Sequence, residues 1–408
     1  MPGIGRADPS SELQIAAPNQ RADTTDLIDL LCKTFSSGIG YWNAEKACRN
    51  GYLLKSNYDW NASRIGKLNG EMVTHFGIWN FEIRVGLARL RVAGIGAVAT
   101  HDDYRKLGLM QATATVALAE LSNSDYDISL LFGIPNFYEP FGFRRAWNLT
   151  FATIEVDQIP SGPTPGRLHR TRSSTGSELD ALYNKENANL TGTAVHPTFP
   201  LRNPFVKGDL FVWRQGQELK GYALVSSPGN VLEVKGWVGD PNELLTVVRS
   251  LATQRGVKSV QFQWIHCQSE LARLLRQKTC AVRTDYRGSG GAMVRVISLQ
   301  RSLTRLKPEL ENRLRRSDLS DWCGDLLLDN NREAVTLLIN QGDVQVVAAS
   351  RSKNSMSGGE AIAQLILGTD DPNETVAIGG VKVRGAASAL LPVLFPNEYP
   401  ALGSWDRF

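Results

Sequence analysis

Residues 24–37, "TTDLIDLLCKTFSS", place apolar side chains at Leu27, Leu30, Leu31 and Phe35 behind a candidate Thr cap, which is the spacing of an amphipathic helix. The pattern then becomes strand-like. "SRIGKLNGEMVTHFGIWNFEIRVG" is rich in β-formers, and Asn69-Gly70 between its halves signals a two-residue hairpin turn. "ARLRVAGIGAVAT", 88–100, is a continuous apolar, Gly-rich run suited to the inside of a sheet. After the polar turn "HDDYRKLG" the pattern predicts a helix over 108–122, with Leu109, Ala112, Thr113, Val116, Ala117 and Leu121 on one face. The strand "DISLLFGI" follows and ends in "LFGIPNFYEPFGF", 131–143, where Pro135, Pro140, Phe137, Phe141 and Phe143 surround Tyr138.

The α/β alternation resumes further on, with "GYALVSS", "VLEVKGWV" and "VKSVQFQWI" as strands and "PNELLTVVRSLATQRG" as a helix. The last third changes texture: a helix over "LQRSLTRLKPELENRLRRS", alternating strands, then two short helices ending at "ALLPVLFP". Residues 157–180 are rich in Pro, Gly, Ser and Thr and read as a linker. The expected division is therefore a flexible segment 1–23 and domains at 24–158, 159–294 and 295–408, in a mixed α/β (α+β) architecture.

Composition restricts the function. A chain of 408 residues exceeds the usual size of one core. Its 42% hydrophobic and 21% charged content is that of a globular protein, and a net charge of +4 without a basic block gives no reason for nucleic acid. Neither a signal peptide nor an 18-residue apolar run is visible, so a cytoplasmic protein without a membrane partner is expected. Five scattered cysteines, Cys32, Cys48, Cys267, Cys280 and Cys323, with no C-x-x-C pair, read as thiols in a reducing compartment. No metal is expected.

The chemistry-bearing unit is the strand, turn and helix at 95–122. A helix beginning after "YRKLGLM" turns its free amides and positive dipole end toward the loop, an anion site for phosphate or pyrophosphate. Gly108 permits close approach, and Arg105 and Lys106 add charge. The same pattern also suits a plain βα crossover with surface basic residues.

"GAVATHDDYRKLGLMQATATVALAEL" followed by "LLFGIPNFYEPFGF" resembles the Gcn5-related N-acetyltransferase superfamily. With a second acetyltransferase-like half, a domain similar to sterol carrier proteins and a chain ending in Phe408, the whole resembles the "enhanced intracellular survival" (Eis) acetyltransferases. That resemblance implies two tandem acetyltransferase-type mixed-sheet domains followed by a sterol-carrier-like α+β domain, a homohexamer, and acetyl-coenzyme A as co-substrate. It implies that the backbone of Ala97, Val98 and Ala99 pairs with the pantetheine arm. Arg105, Lys106, Leu107, Gly108, Leu109 and Met110 would cradle the pyrophosphate, and Gly133 and Ile134 would line the acyl end. Tyr138 would be the general acid, and the Phe408 carboxylate the base. The acceptor would be a small-molecule or peptide amine of the aminoglycoside, polyamine or lysine type.

A phenol with a reference pKa of about 10 stays protonated at neutral pH and can donate to a departing sulfur. A terminal carboxyl of reference pKa about 3.5 suits holding an ammonium better than deprotonating it. The second domain looks catalytically silent, because Asp240 before Pro241 would cap the corresponding helix and repel a pyrophosphate. The rival expectation is a lipid-binding or scaffold protein built on a degenerate acetyltransferase fold, with "AVTLLI" and "VQVVAA" as its apolar lining.

Overall fold

The computed structural model describes residues 12–36, 41–171, 176–197 and 206–408. Fourteen strands of the first two sheets are, in chain order, β1 (Gln14–Ala16), β2 (Arg64–Leu68), β3 (Glu71–Val85), β4 (Ala88–Thr100), β5 (Ile128–Gly133), β6 (Arg144–Arg145), β7 (Leu149–Glu155), β8 (Arg167–Thr171), β9 (Asp209–Gln215), β10 (Glu218–Ser226), β11 (Val231–Val238), β12 (Ser259–Phe262), β13 (Ala281–Asp285) and β14 (Gly291–Val296). The first sheet has the order β1-β2-β3-β4-β5-β14-β6 and the second β13-β7-β12-β11-β10-β9-β8. A third sheet of five strands lies within residues 323–384. All three mix parallel and antiparallel pairs.

Local sequence explains most of the first sheet. Asn69 and Gly70 have φ of 52° and 83°, the left-handed pair that a type I′ turn requires, and they join β2 to β3. The apolar run 88–100 is β4, which pairs antiparallel with β3 and parallel with β5. Helix Leu109–Leu121 buries Leu109, Thr113, Ala114, Ala117, Leu118 and Leu121. Ala112 and Val116, expected on that face, are half-buried instead. The packed stripe takes Ala114 and Leu118 in their place, and Thr113, common to the expected and the observed stripe, has its Oγ1 2.8 Å from Thr74 Oγ1 of β3.

The two sheets exchange strands. Residues Leu149–Glu155 leave the first sheet and enter the second between β13 and β12, while Gly291–Val296 return to the first between β5 and β6. The stretch expected to be a linker carries an edge strand, β8, paired with β9, and Gln14–Ala16 within the expected flexible segment pair with β2. Residues 1–11 of that segment lie outside the described residues.

Helix Leu299–Arg315 buries Leu299, Leu303, Leu306, Leu310 and Leu314 in a core continuous with Leu90 and Val92 of β4 and with Leu326 and Leu337 of the third sheet. Three helices follow among the described residues, Ile362–Leu367, Pro372–Gly379 and Ala387–Leu394, where the sequence pattern pointed to two. Gly368, at φ 65°, divides the first from the second, a left-handed end that the apolar pattern does not reveal.

Candidate active site

The site begins where β4 and β5 part. Their parallel register runs from Val92–Ile128 to Ile95–Leu131, whereas the strands continue to Thr100 and Gly133. Beyond Ile95, β4 bulges: His75 faces Ala99 and Gly77 faces Gly96, so Ala97 and Val98 stand opposite Phe76 alone. Ala97 takes a φ of 46°, an unusual conformation for a residue with a Cβ. Its carbonyl lies 2.8 Å from His75 Nδ1, and His75 Nε2 lies 2.8 Å from the Tyr58 hydroxyl. Burial lowers the His75 pKa to about 4, so the ring is neutral. A carbonyl can only accept, so Nδ1–H donates to Ala97 and Nε2 accepts from Tyr58. This buried relay holds the bulge open.

The next turn is shaped for an anion. Lys106 and Gly108 have φ of 66° and 75°, and Gly108 is the N-cap of helix Leu109–Leu121. No side chain caps that end among the described residues. Open space surrounds Gly108, Leu107 is exposed and Leu109 is buried beneath the turn. Met110 is partly buried in the core below. Alternating left-handed residues before an uncapped helix direct several amides toward one point. Arg105 is exposed and pairs with Asp102 at 2.6 Å, so its charge is shared. By contrast, Asp240 caps helix Pro241–Gln254 by accepting from Asn242 N and Glu243 N at 2.9 and 3.0 Å. A carboxylate already occupies the amides there, and it repels a phosphate.

Tyr138 stands on the opposite lip. A Cβ at Gly133 would fall 2.6 Å from the Tyr138 ring, so this glycine is what lets the tyrosine lie against β5. The ring packs edge-on to Phe137 and Phe143 at 4.8 and 6.0 Å, in a core with Phe76, Ile78, Ile95 and Leu131. Its loop is tied to the residues before β14: Ser289 Oγ donates to Glu139, and Asn136 N donates to Ser289 Oγ at 2.7 Å. Burial pushes the Tyr138 phenol up to about 12. Ile134 is 64% exposed and free to meet a ligand at the mouth.

Phe408 occupies the gap itself. Its ring packs on Phe81 and Phe132, with centroids 4.9 and 5.8 Å apart. A Cβ at Gly94 would meet that ring at 2.8 Å, and one at Gly96 would meet the Phe408 carbonyl carbon at 2.7 Å. The Phe408 backbone carbonyl therefore rests on the first β4 residue beyond the last β4–β5 pair, and Tyr138 is seated on β5 two residues beyond it. Arg407 is half-buried over Phe132 and Trp264, its guanidinium carbon at 4.3 and 5.0 Å from the two centroids, and desolvation lowers its pKa. Trp264 comes from the second sheet's β12 end and holds a φ of 56°. Trp79 is a core residue whose indole N–H donates to Tyr52 O, and the Trp42 side chain lies outside the described residues.

The structure brings Ala97–Ala99, Arg105–Met110, Gly133, Ile134 and Tyr138 to one opening, and Phe408 with them. The sequence reading did not single out His75, Tyr58, Trp264, Gly94 or Gly96. Glycines inside a strand signal a close backbone approach, so the Gly94–Gly96 pair was the available clue.

Residues 20–146 match the acetyltransferase (GNAT) domain family. No curated protein matches the chain significantly. Among solved structures, a GCN5-related N-acetyltransferase from Anabaena variabilis superposes with a TM-score of 0.75 at 17% identity, covering 96% of this chain and 99% of that one. A probable N-acyltransferase from Enterococcus faecalis gives 0.73 at 16% identity, with the same coverage. Eis1 from Mycobacterium abscessus gives 0.65 at 14% identity, covering 94% of this chain and 97% of that one. At these identities the likeness is one of fold over nearly the full length. The matched stretch defines the class of that part of the chain, an acetyltransferase (GNAT) domain at residues 20–146, and the fold around it is one shared with a solved GCN5-related N-acetyltransferase. Among the described residues no helix is long and apolar enough to cross a membrane.

Proposed function

We propose that the chain transfers acetyl from acetyl-coenzyme A to a primary amine by direct attack, as an Eis-like enzyme with a sterol-carrier-like third domain. The observation that carries this reading is the Phe408 backbone carbonyl resting on Gly96 at the β4–β5 opening, with Tyr138 on the other side. The surroundings fit the co-substrate: a bulged strand offers the Ala97–Ala99 backbone to an amide-bearing arm, and the uncapped turn Arg105–Met110 receives a pyrophosphate. The thioester supplies the activated acetyl group.

The Phe408 carboxylate draws the acceptor as its ammonium and orients the nitrogen toward the opening. One proton leaves to the carboxylate or through water, and the neutral amine attacks the thioester carbonyl. Tyr138 donates its proton to sulfur as the carbon–sulfur bond breaks, and the second amine proton restores the phenol. The high pKa of Tyr138 keeps that proton in place throughout the neutral range. A buried, oriented carboxylate favours cationic acceptors, whether small molecules such as polyamines and aminoglycosides or lysine side chains of peptides. The assembly is taken to be a homo-oligomer, a hexamer in the Eis pattern.

The test is release of coenzyme A thiol across a panel of polyamines, aminoglycosides and lysine peptides, for the intact chain and one lacking Phe408. Turnover that disappears with Phe408 supports the mechanism. Turnover that survives its removal refutes the carboxylate's role, and binding of acetyl-coenzyme A without turnover of any amine favours a scaffold.

A further inference from the structure

The second domain caps its own helix where a cofactor phosphate would sit, yet the chain's last residues cross it before entering the first domain's site. After helix Ala387–Leu394, Glu398 takes hydrogen bonds from Arg313 and Thr191 at 2.8 and 3.0 Å, and Ala401 N donates to Thr191 O at 3.2 Å. Ser404 Oγ then donates to Lys235 O of β11 at 2.7 Å, and Trp405 packs on Tyr222 of β10 at 5.7 Å. Asp406 is buried, at 1% exposure. Its Oδ1 lies 2.7 Å from His196 Nε2, and its Oδ2 accepts from the Tyr183 hydroxyl at 3.2 Å. The receptor for it is itself fixed: His196 stacks on Tyr183 at 3.7 Å and 7°, its Nδ1 lies 3.3 Å from Asp180, and Asn184 bonds its backbone N–H and carbonyl at 2.9 Å each.

We propose that the His196–Tyr183 pair is the seat that positions the Phe408 carboxylate, with Asp406 as the plug and the second domain acting as its template. Two residues separate Asp406 from the end, and extended backbone reaches at most about 3.3–3.6 Å per residue. A plug held in this seat therefore leaves the carboxylate only a few ångströms of freedom over Gly96. Asp406, His196 and Tyr183 are positioning residues. They act through Phe408, and the part of this inference that concerns catalysis rests on the function proposed above.

The experiment reads the chain end directly, by timing release of phenylalanine from the folded full-length protein with a carboxypeptidase. In the intact chain the seated Phe408 is released slowly. Asp406→Ala and His196→Ala are each expected to speed release about tenfold or more, because cleavage follows the population of the open end. Acetyl-coenzyme A affinity measured by calorimetry should stay within about twofold, and kcat should fall with little change in that affinity. Asp406→Asn, which keeps the size and one acceptor, should lie between. If Asp406→Ala unfolds the protein, Asp406→Asn and Tyr183→Phe carry the same comparison. An end as protected in these variants as in the intact chain overturns the proposal, as does faster release accompanied by loss of acetyl-coenzyme A binding. Faster release with unchanged turnover leaves the seat standing and refutes the catalytic role of Phe408 instead.

Discussion

Gly96→Ala tests the site with a single methyl group. The Cβ would lie 2.7 Å from the Phe408 carbonyl carbon, 3.0 Å from its oxygen and 3.1 Å from the Trp79 ring. Carbon atoms prefer separations of about 3.5–4.0 Å, so the carboxyl group must withdraw by about 1 Å. Trp79 cannot yield in its place, because its indole is fixed by Tyr52 and Ser56 at 3.0 Å and it is fully buried. A misplacement of about 1 Å at a reacting group costs on the order of 100-fold in rate. Overpacking itself costs about 1–3 kcal/mol of stability. The assay is steady-state coenzyme A release with the best acceptor of the panel, beside calorimetric binding of acetyl-coenzyme A. The expected result is a kcat lowered about 100-fold with acetyl-coenzyme A affinity little changed. Gly236→Ala is the control, since a Cβ there meets Trp405 no closer than 3.8 Å. A Gly96→Ala enzyme with the intact chain's kcat would refute the placement of the carboxylate at the reacting centre.

Other perturbations separate the remaining parts. Tyr138→Phe keeps the packing on Gly133 and removes the proton donor, so kcat should fall about 10²–10⁴-fold while the melting temperature stays nearly constant. A folded pKa of about 12 against about 10 unfolded means that Tyr138 stabilises fully below pH 10 and loses that contribution as pH rises toward 12. The kcat profile should therefore show no basic limb from Tyr138 below pH 10. His75 and His266 titrate near 4 in the fold against about 6.5 unfolded, so their contribution is full above pH 6.5 and is lost as pH falls through 4. Each accounts for on the order of 3 kcal/mol, and His75→Gln should shallow the acid side of a urea-midpoint profile. Asp240→Ala should cost about 0.5–2 kcal/mol in thermal or urea unfolding. Calorimetry of the intact chain should find one acetyl-coenzyme A per chain, and two would refute the silent reading of the second domain.

Short-range physics made much of this protein legible from its residues alone. Asn69-Gly70 specified its hairpin because both positions must take positive φ, and Asp240-Pro241 specified a capped helix end because the carboxylate lies within reach of the next two amides. The turn Arg105–Met110 and the aromatic loop around Tyr138 are contiguous stretches, so the sequence could single them out as candidate sites. The apolar periodicity placed helix Thr24–Phe35 and strands β4 and β5 for the same reason.

Tertiary structure decided what depends on residues far apart in the chain. The exchange of β7 and β14 between sheets follows from which edges remain to be paired once both domains form, and no local pattern encodes an edge. His75 reads as one more residue of an apolar strand until Tyr58 and the Ala97 carbonyl close on it. Asp406 and His196 are 210 positions apart, and only the fold makes them partners. The glycines of β4 show most clearly where sequence stops: they read only as part of an apolar strand, and that Phe408 packs against them was fixed by the path of the tail across the second sheet.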